Sequence, residues 1–291
     1  MRRTSCAAAL VVILTLVSIA PAFGASSPAG AKAPAPAALT RGEVVTIVRQ
    51  EIDRAFALRD WHQYSRYIDE YRGADAEALF SLSALDRATA IGDARSPVRV
   101  IVYADYECPY CKLFESETSP KLHERFDSEA LFLFRFFPLG IHGEIARSEA
   151  IAGACVGRTA GAQAFRRFTA RIFAATGSNG KGTRDGAEEI AHTVLHDSGV
   201  HLDRSKLDQL YDDCVNGKTG AALIAPDAAF RGVTGTPTIF VVNTASKEAW
   251  RLAGAVPAWV FETLIGNVIA GRPGDSDWAI DRQRVRPPDA D

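Results

Sequence analysis

The sequence has few of the features that mark nucleic-acid binders, metal carriers and membrane-spanning proteins. Its 291 residues include one methionine and five cysteines, and the formal net charge is −2. A charge balance this even gives no reason to expect nucleic acid or an anionic membrane surface as a partner. The N-terminal apolar run, residues 7–20, is shorter than the roughly 20 residues that a membrane helix needs. The few cysteines are then the first residues to consider for the chemistry of the chain.

Cys108 and Cys111 form a Cys-x-x-Cys motif between a predicted strand and a predicted helix. Residues 98–103 are mostly β-branched or aromatic and predict a buried strand, and residues 112–119 predict the start of a helix. Free N–H groups and the dipole at a helix N-terminus can lower a cysteine pKa from about 8.5 to between about 3.5 and 7.5. We therefore predict that Cys108 is a nucleophile and that Cys111, one turn further and more buried, resolves a mixed disulfide.

Half of a zinc site is the alternative interpretation of this cysteine pair. Zinc needs four ligands, usually with a second closely spaced pair of cysteines or histidines, and the sequence has no second closely spaced pair of cysteines. His142, His192, His196 and His201 are scattered along the chain. His192 and His196 are four residues apart, but no glutamate follows His192 as a metalloprotease helix would require. The sequence therefore predicts redox chemistry with no metal and no organic cofactor.

The N-terminus has the three parts of a secretory signal peptide. Arg2 and Arg3 precede the apolar run, and small residues surround Gly24 and Ala25. We expect residues 1–25 to be cleaved, with an uncleaved membrane anchor as the alternative. The twin arginines are compatible with twin-arginine export, but the general secretory route fits the following residues better. The predicted location is the periplasm.

Export changes what the cysteines can do. Cys6 is lost with the signal peptide, which leaves four cysteines in an oxidising compartment, and four cysteines allow three pairings. If the motif pairs Cys108 with Cys111, then Cys155 is left to pair with Cys214.

Composition shifts divide the rest of the chain. Residues 26–39 are rich in alanine and proline and predict a linker, and residues 40–78 predict a helical segment. Residues 79–271 suit one domain, within which residues 143–231 have only helical patterns, and residues 272–291 form a polar tail.

The helical segment has an apolar face that two arrangements would bury. Val45, Val48 and Ile52 recur at helical spacing, and a second predicted helix carries Ile68 and Tyr71 on one face. Residues 40–72 either pack on their own domain or pair with another copy of the chain, which would make a homo-oligomer.

Within the main domain, apolar runs predict further strands and helices around the motif. We expect strands at residues 131–138, 238–242 and 249–252, and a last helix at 257–270. The helical block is predicted to contain helices at residues 145–158, 163–175, 187–197, 205–215 and 221–230.

This order of elements resembles the DsbA-like thiol:disulfide oxidoreductases of the thioredoxin superfamily. The resemblance rests on Asp-Tyr-Glu-Cys-Pro-Tyr-Cys at 105–111, on Phe-Pro-Leu at 137–139 followed by His142, and on Val-Thr-Gly-Thr-Pro-Thr at 233–238. It covers residues 79–271. It implies an α/β thioredoxin fold with an inserted all-helical subdomain, here preceded by the helical segment.

The resemblance also assigns roles to individual residues. It implies that Thr236 and Pro237 form a cis-proline turn that faces Cys108 and binds substrate backbone, although an ordinary trans turn is the commoner case for such a sequence. It implies a structural disulfide between Cys155 and Cys214, with a second redox centre as the alternative. It gives His142 a structural role at the start of the insertion.

One residue departs from the family pattern. Relatives often have a buried acid six residues before the nucleophilic cysteine, and this chain has Val102 there. Asp105 and Glu107 are closer to the motif, and we expect them to be more exposed. The group that takes the proton of Cys111 is then Glu107 or a water molecule.

The resemblance implies dithiol–disulfide exchange on cysteine-containing secreted proteins, with a membrane redox partner that recycles the enzyme. The direction, whether oxidase, isomerase or reductase, stays open. A non-catalytic carrier that holds copper(I) between Cys108 and Cys111 is the alternative from another class. The single methionine counts against a copper carrier.

Overall fold

The structure, a computed structural model, describes residues 40, 42, 68–73, 76–224 and 232–271. The predicted signal peptide, the linker, the polar tail and almost all of the predicted helical segment before Ile68 lie outside these residues. The architecture below therefore concerns residues 68–271.

The described residues form a six-stranded mixed sheet in the order β1-β6-β5-β3-β4-β2. Strands β3 and β4 are parallel, and the other neighbouring pairs are antiparallel. The strands are β1 (Ile68–Glu70), β2 (Ile91–Gly92), β3 (Val98–Ala104), β4 (Leu131–Phe136), β5 (Thr238–Asn243) and β6 (Glu248–Ala253).

Strand β3 lies in the middle of the sheet and leads directly to the Cys-x-x-Cys motif. Its side chains alternate between two buried faces: Val98 and Val100 pack into one apolar cluster, and Ile101 and Tyr103 pack into another. A strand buried on both faces needs a continuous apolar run, which is the pattern that predicted it. The end of β3 is therefore a rigid base for the loop that follows.

Helices cover the sheet and build the insertion. Those around the sheet are α1 (Glu77–Phe80), α2 (Ala84–Thr89), α3 (Pro109–Leu113), α4 (Ser119–Phe126) and α9 (Ala258–Ile269). Those of the insertion are α5 (Gly143–Ala175), α6 (Gly186–His196), α7 (Arg204–Asn216) and α8 (Lys218–Ile224).

The insertion is helical, as the alanine-rich patterns predicted. Helix α5 is interrupted at Gly161, whose φ of 77° is a left-handed conformation that glycine adopts without a steric penalty. This break separates the two predicted helices at 145–158 and 163–175. An isolated bridge between Thr176 and Thr183 is the β-structure found within residues 143–224. The predicted helix at 221–230 is described only to Ile224, within α8.

The prediction of a helix through Ile68 and Tyr71 was wrong. Ile68–Glu70 is strand β1, which pairs antiparallel with β6 so that Ile68 lies opposite Leu252. The Tyr71 amide donates to Ala249 O at 2.8 Å, and the Tyr71 ring packs edge-on against Phe240 at 5.3 Å. The open edge of β6 and this apolar contact outweigh the helical spacing of the two residues.

The helix predicted to start at residues 112–119 begins earlier than expected and contains a break. Helix α3 begins at Pro109, because proline is well suited to the first helical position, where its missing N–H is not needed. A π-helical turn, Phe114–Thr118, then joins α3 to α4. A π-helical turn is rare and shifts the apolar spacing by one residue, so a regular helical pattern does not predict it.

Helices α1 and α2 and strand β2 were not predicted. Ser83 caps α2 through a capping box with Asp86. The Asp86 carboxylate forms a buried ion pair of 2.9 Å with Arg135 of β4. Arg135 therefore fastens α2 to the sheet.

None of the helices in the described part of the chain is both long enough and apolar enough to cross a membrane.

Candidate active site

The two cysteines lie at the N-terminus of α3, directly after β3. Cys108 is the N-cap residue, with an extended backbone (φ −81°, ψ 120°), and its carbonyl accepts the Lys112 amide at 3.1 Å. Cys111 lies one turn further along and is 1% exposed. Both thiols are free in the structure, and Tyr110 between them is 63% exposed. The motif therefore presents Tyr110 to solvent with both sulfurs beneath it.

The two thiols have opposite pKa shifts. A hydrogen bond from the Cys111 thiol lowers the pKa of Cys108 to about 6, and the amides of Cys111 and Tyr110 lower it further. Burial, together with the interaction with Cys108, raises the pKa of Cys111 well above its ordinary value. At neutral pH the Cys108 thiolate thus exceeds its thiol by about tenfold, and Cys111 keeps its proton.

Thr236 and Pro237 lie against Cys108, although they are distant in sequence. The peptide bond between them is cis. The Thr236 carbonyl oxygen is 3.2 Å from the Cys108 sulfur, and it accepts a hydrogen bond from the Cys108 thiol when that thiol is protonated. Strand β5 begins at the next residue, Thr238, so the centre of the sheet fixes the distance between this carbonyl and the sulfur.

Asp105 and His142 form a buried pair beside the motif. The Asp105 carboxylate accepts the His142 Nδ1–H at 2.7 Å and the amides of Leu139 and Glu107 at 2.8 and 2.9 Å. Since His142 immediately precedes α5, this pair ties the start of the insertion to the active-site loop.

Tyr106 anchors the same loop to α5. Its hydroxyl lies 2.8 Å from the Thr169 hydroxyl, and its ring is surrounded by Phe134, Phe136 and Phe173 at 5.0 to 5.7 Å between centroids. A Cβ on Gly153 would lie 2.7 Å from the Tyr106 hydroxyl, so the close approach of α5 requires glycine there.

Glu107 holds a loop of the insertion over the motif. Its carboxylate accepts the Thr176 hydroxyl and, at 3.0 Å, the Gly182 amide, and its carbonyl accepts the Asn179 amide at 2.7 Å. Lys112, the residue after Cys111, donates to the Thr176 carbonyl at 2.9 Å. We call residues 176–182 the covering loop.

The expectation that Asp105 and Glu107 are the more exposed acids was wrong. Asp105 is 1% exposed and Glu107 is 0% exposed. The covering loop and the start of α5 bury them, which local sequence could not reveal. Because both carboxylate oxygens of Glu107 accept hydrogen bonds from the covering loop, its surroundings favour an anchoring role over proton transfer.

The sequence reasoning missed a third buried acid, Glu149 of α5. Burial and the nearby carboxylates of Glu107 and Asp105 raise the pKa of Glu149 to about 8, and it is 2% exposed. It therefore keeps its proton at neutral pH. A glutamate within an alanine-rich helix gave no signal of this, since the same pattern is common on solvated faces.

Val102 lies where the family pattern has an acid, and its surroundings are apolar. It lines a cavity of about 50 Å³ together with Val100, Phe134 and Phe165. Glu115 also lines this cavity, and burial raises its pKa to about 7.

Cys155 and Cys214 are bonded to each other away from the motif. They join α5 to α7, with 5.7 Å between their Cα atoms, and both are buried. The structure thus bonds Cys155 to Cys214 and leaves Cys108 and Cys111 as the free pair.

Three comparisons with known proteins agree with this geometry. The profile of the family described as Thioredoxin matches residues 85–253, more than half of the chain. Disulfide bond formation protein D of Bacillus subtilis (strain 168) is 36% identical over 62 residues, which are 21% of this chain and 28% of that protein. The match therefore spans less than a third of that relative.

Solved structures share the fold. BdbD from Bacillus subtilis, in its oxidised form, matches with a TM-score of 0.51 and 20% identity, over 65% of this chain and 96% of that one. Alpha-DsbA1 from Wolbachia pipientis matches with a TM-score of 0.51 and 20% identity, over 68% and 98%. The predicted thioredoxin fold with an inserted helical subdomain is confirmed.

Proposed function

Because the chain belongs to the thioredoxin family, we propose that it is an exported thiol:disulfide oxidoreductase that exchanges disulfides with secreted proteins through Cys108 and Cys111. The observation that carries this proposal is the pair of opposed thiol pKa values at the start of α3. A stable thiolate beside a protonated thiol is what a nucleophile and its resolving partner require. The names of the relatives, which refer to disulfide bond formation and to DsbA, support the same chemistry.

In the oxidising direction, a substrate thiolate attacks the Cys108 sulfur of the Cys108–Cys111 disulfide. The S–S bond breaks, Cys111 leaves as a thiolate and takes up a proton, and a mixed disulfide joins Cys108 to the substrate. A second substrate thiolate attacks the substrate sulfur of this bond and releases the Cys108 thiolate. Two electrons pass from the substrate dithiol to the enzyme. In the reducing direction the steps reverse, and Cys111 is the resolving thiol.

The surroundings of the motif suit an extended, unfolded substrate. Thr236 presents a backbone carbonyl beside Cys108 at the start of β5, where a peptide could add backbone hydrogen bonds. Tyr110 and Leu113 of α3 are 63% and 43% exposed, and Ile141, next to His142, is 85% exposed. Such apolar side chains would contact residues that a folded substrate buries.

Export and recycling follow from the N-terminal sequence and the proposed chemistry. A signal peptide at residues 1–25 would deliver the chain to the periplasm, where disulfides persist. Each turnover leaves the cysteine pair reduced or oxidised, so continued activity needs a redox partner, which we place in the membrane.

Oligomerisation through the N-terminal segment would favour an isomerase or reductase. The proposed interface is now restricted to residues 40–67, because Ile68–Glu70 pair with β6 of the same chain. A monomer would favour an oxidase.

Exchange assays with a reduced, unfolded substrate test the proposal. Cys108→Ala should abolish exchange, whereas Cys111→Ala should accumulate a mixed disulfide that a gel without reductant detects. Lys121→Ala, an exposed change on α4, is the matched control and should exchange at the parent rate. Full activity in Cys108→Ala would refute the mechanism.

The reduction potential of the pair decides the direction. Equilibration with glutathione buffers should give a value near about −120 mV for a strong oxidant or near about −270 mV for a reductant. Copper delivery is not favoured, since the named relatives refer to disulfide chemistry. Copper bound after anaerobic purification, with no exchange activity, would reverse this choice.

A further inference from the structure

Helices α6 and α7 bring a second group of reactive side chains together, away from the cysteine motif. His192 and His196 lie one turn apart on α6, and Asp208 lies on α7. Glu188 lies four residues before His192 on the same helix. The packing of α6 against α7 adds Asp208 from another element.

The three side chains converge on a single oxygen. Asp208 Oδ1 lies 2.6 Å from His192 Nδ1 and 2.8 Å from His196 Nε2. One ligand atom from each of the three residues lies within 4.8 Å of the others. Beyond them, His192 Nε2 lies 3.8 Å from Glu188 and 4.0 Å from Asp212.

The cluster is held in place but is open to solvent. The His192 ring packs edge-on against Tyr211 of α7 at 5.2 Å, which fixes its orientation. The side chains of His192 and His196 are each 23% exposed, and that of Asp208 is 31% exposed. An ion could enter, and water could complete its coordination shell.

We propose that His192, His196 and Asp208 bind a divalent transition-metal ion, with zinc as the representative case. Two imidazoles and one carboxylate are a common zinc ligand set, whereas calcium and magnesium prefer oxygen ligands alone. Zinc–ligand distances of about 2.0 to 2.1 Å place neighbouring tetrahedral ligands roughly 3.3 Å apart. Each contact to Asp208 would therefore lengthen by less than about 1 Å.

The ion would join α6 to α7 within the insertion. Helix α7 is already joined to α5 by the disulfide between Cys155 and Cys214. The metal would add a second connection, from α7 to α6, so its first effect is on the stability of the insertion rather than on disulfide exchange.

Zinc titration of the untagged protein against a chromophoric chelator tests the site. The protein is kept in its oxidised form, because the thiols of Cys108 and Cys111 are themselves zinc ligands. We expect one equivalent of zinc to bind. His196→Ala and Asp208→Asn should each weaken binding by about tenfold or more, as loss of a ligand does. His201→Ala, an exposed histidine outside the cluster, should bind as the parent does.

Melting temperatures separate metal binding from simple loss of folding. Zinc should raise the melting temperature of the parent and of His201→Ala, but not that of Asp208→Asn. In the presence of a chelator, Asp208→Asn should melt near the parent temperature, which shows that the variant is folded. No stoichiometric zinc on the oxidised parent, or equal affinity in Asp208→Asn, would show that the cluster is only a hydrogen-bonded trio. The double variant Cys108→Ala/Cys111→Ala should still bind one zinc.

Discussion

At the scale of single residues, the thiolate of Cys108 depends on the proton that Cys111 keeps. The Cys111 thiol is the largest cause of the lowered pKa of Cys108, ahead of the backbone amides. Cys111→Ala should therefore raise the pKa of Cys108 from about 6 toward the ordinary value of about 8.5. Ultraviolet absorbance of the thiolate against pH measures this. Ser116→Ala, an exposed change after α3, should leave the titration unmoved, and an unchanged pKa in Cys111→Ala would contradict the assignment.

The same shift makes the reduced protein more stable at higher pH. The folded pKa of Cys108 is below its unfolded value, so its contribution is fully present above about pH 8.5 and is lost as pH falls through about 6. The free energy of unfolding of the reduced parent, measured in urea, is compared with that of reduced Cys108→Ala. The parent's advantage should increase as pH rises from about 6 to about 8.5. Each pKa unit corresponds to about 1.4 kcal/mol, which gives a difference of a few kcal/mol at most. A difference that stays flat with pH would be inconsistent with a stabilised thiolate.

Glu149 should change the stability of the protein with pH in the opposite direction. Its pKa is raised to about 8, so folding opposes its ionisation, and the cost grows as pH rises from its ordinary pKa of about 4.3 to 8. Glu149→Gln is a neutral isostere and should be more stable than the parent, with a gain that increases over this range. Urea unfolding of both proteins at several pH values checks it. Glu144→Gln, on the exposed start of α5, is the control, and a gain independent of pH would argue against a buried acid.

Local motifs predicted the thiols of the site but not its acids. Cys108, Cys111, Thr236 and Pro237 could be named because their chemistry lies in short, ordered patterns. The burial of Glu107 could not be predicted, because the groups that bury it are in the covering loop, 69 to 75 positions away. A contact of that sequence separation is set by the packing of α5 and leaves no local signature.

At the scale of elements, the disulfide between α5 and α7 holds the insertion together. In the chain-entropy description, its separation of 59 residues is worth about 4 kcal/mol, and native disulfides typically contribute 2 to 5 kcal/mol. The double variant Cys155→Ala/Cys214→Ala should lose roughly this much stability in urea. Exchange at Cys108 should continue near the parent rate below the melting transition. Lost exchange with unchanged stability would instead indicate a second redox centre.

Most elements follow from sequence because their patterns are strong. Strands β3, β4 and β5 have long apolar runs, and the helices of the insertion have helical patterns separated by glycines, with alanine frequent in α5. The missed elements are short: β1 has three residues and β2 has two. Short strands depend on the edge to which they pair, and neither β6 nor β4 can be recognised as a sheet edge from sequence alone.

At the scale of the whole molecule, strand β1 joins residues 68–70 to the sheet of the domain predicted at residues 79–271. A chain that starts at Ile68 keeps β1 and its pairing with β6, whereas a chain that starts at Leu79 loses both, along with the contact between Tyr71 and Phe240. We expect the first chain to melt near the parent temperature and the second to melt several degrees lower, as a loss of about 1 kcal/mol would cause. Equal melting temperatures would show that β1 adds nothing.

The same boundary governs how an oligomer can be recognised. If residues 40–67 join several copies, the chain starting at Ile68 should be a monomer by light scattering while the mature chain is not. If both are monomers, the N-terminal segment is not an interface and an oxidase is favoured.

We expect strand β1 also to protect the protein from aggregation. It occupies the outer side of β6, whose backbone N–H and C=O groups would otherwise be free to pair with any extended chain. An enzyme that exchanges disulfides with unfolded polypeptides, as we propose, would meet such chains constantly. Proteolysis or truncation beyond Glu70 would turn this edge into a template for intermolecular β-pairing, and the resulting assemblies could be mistaken for native oligomers.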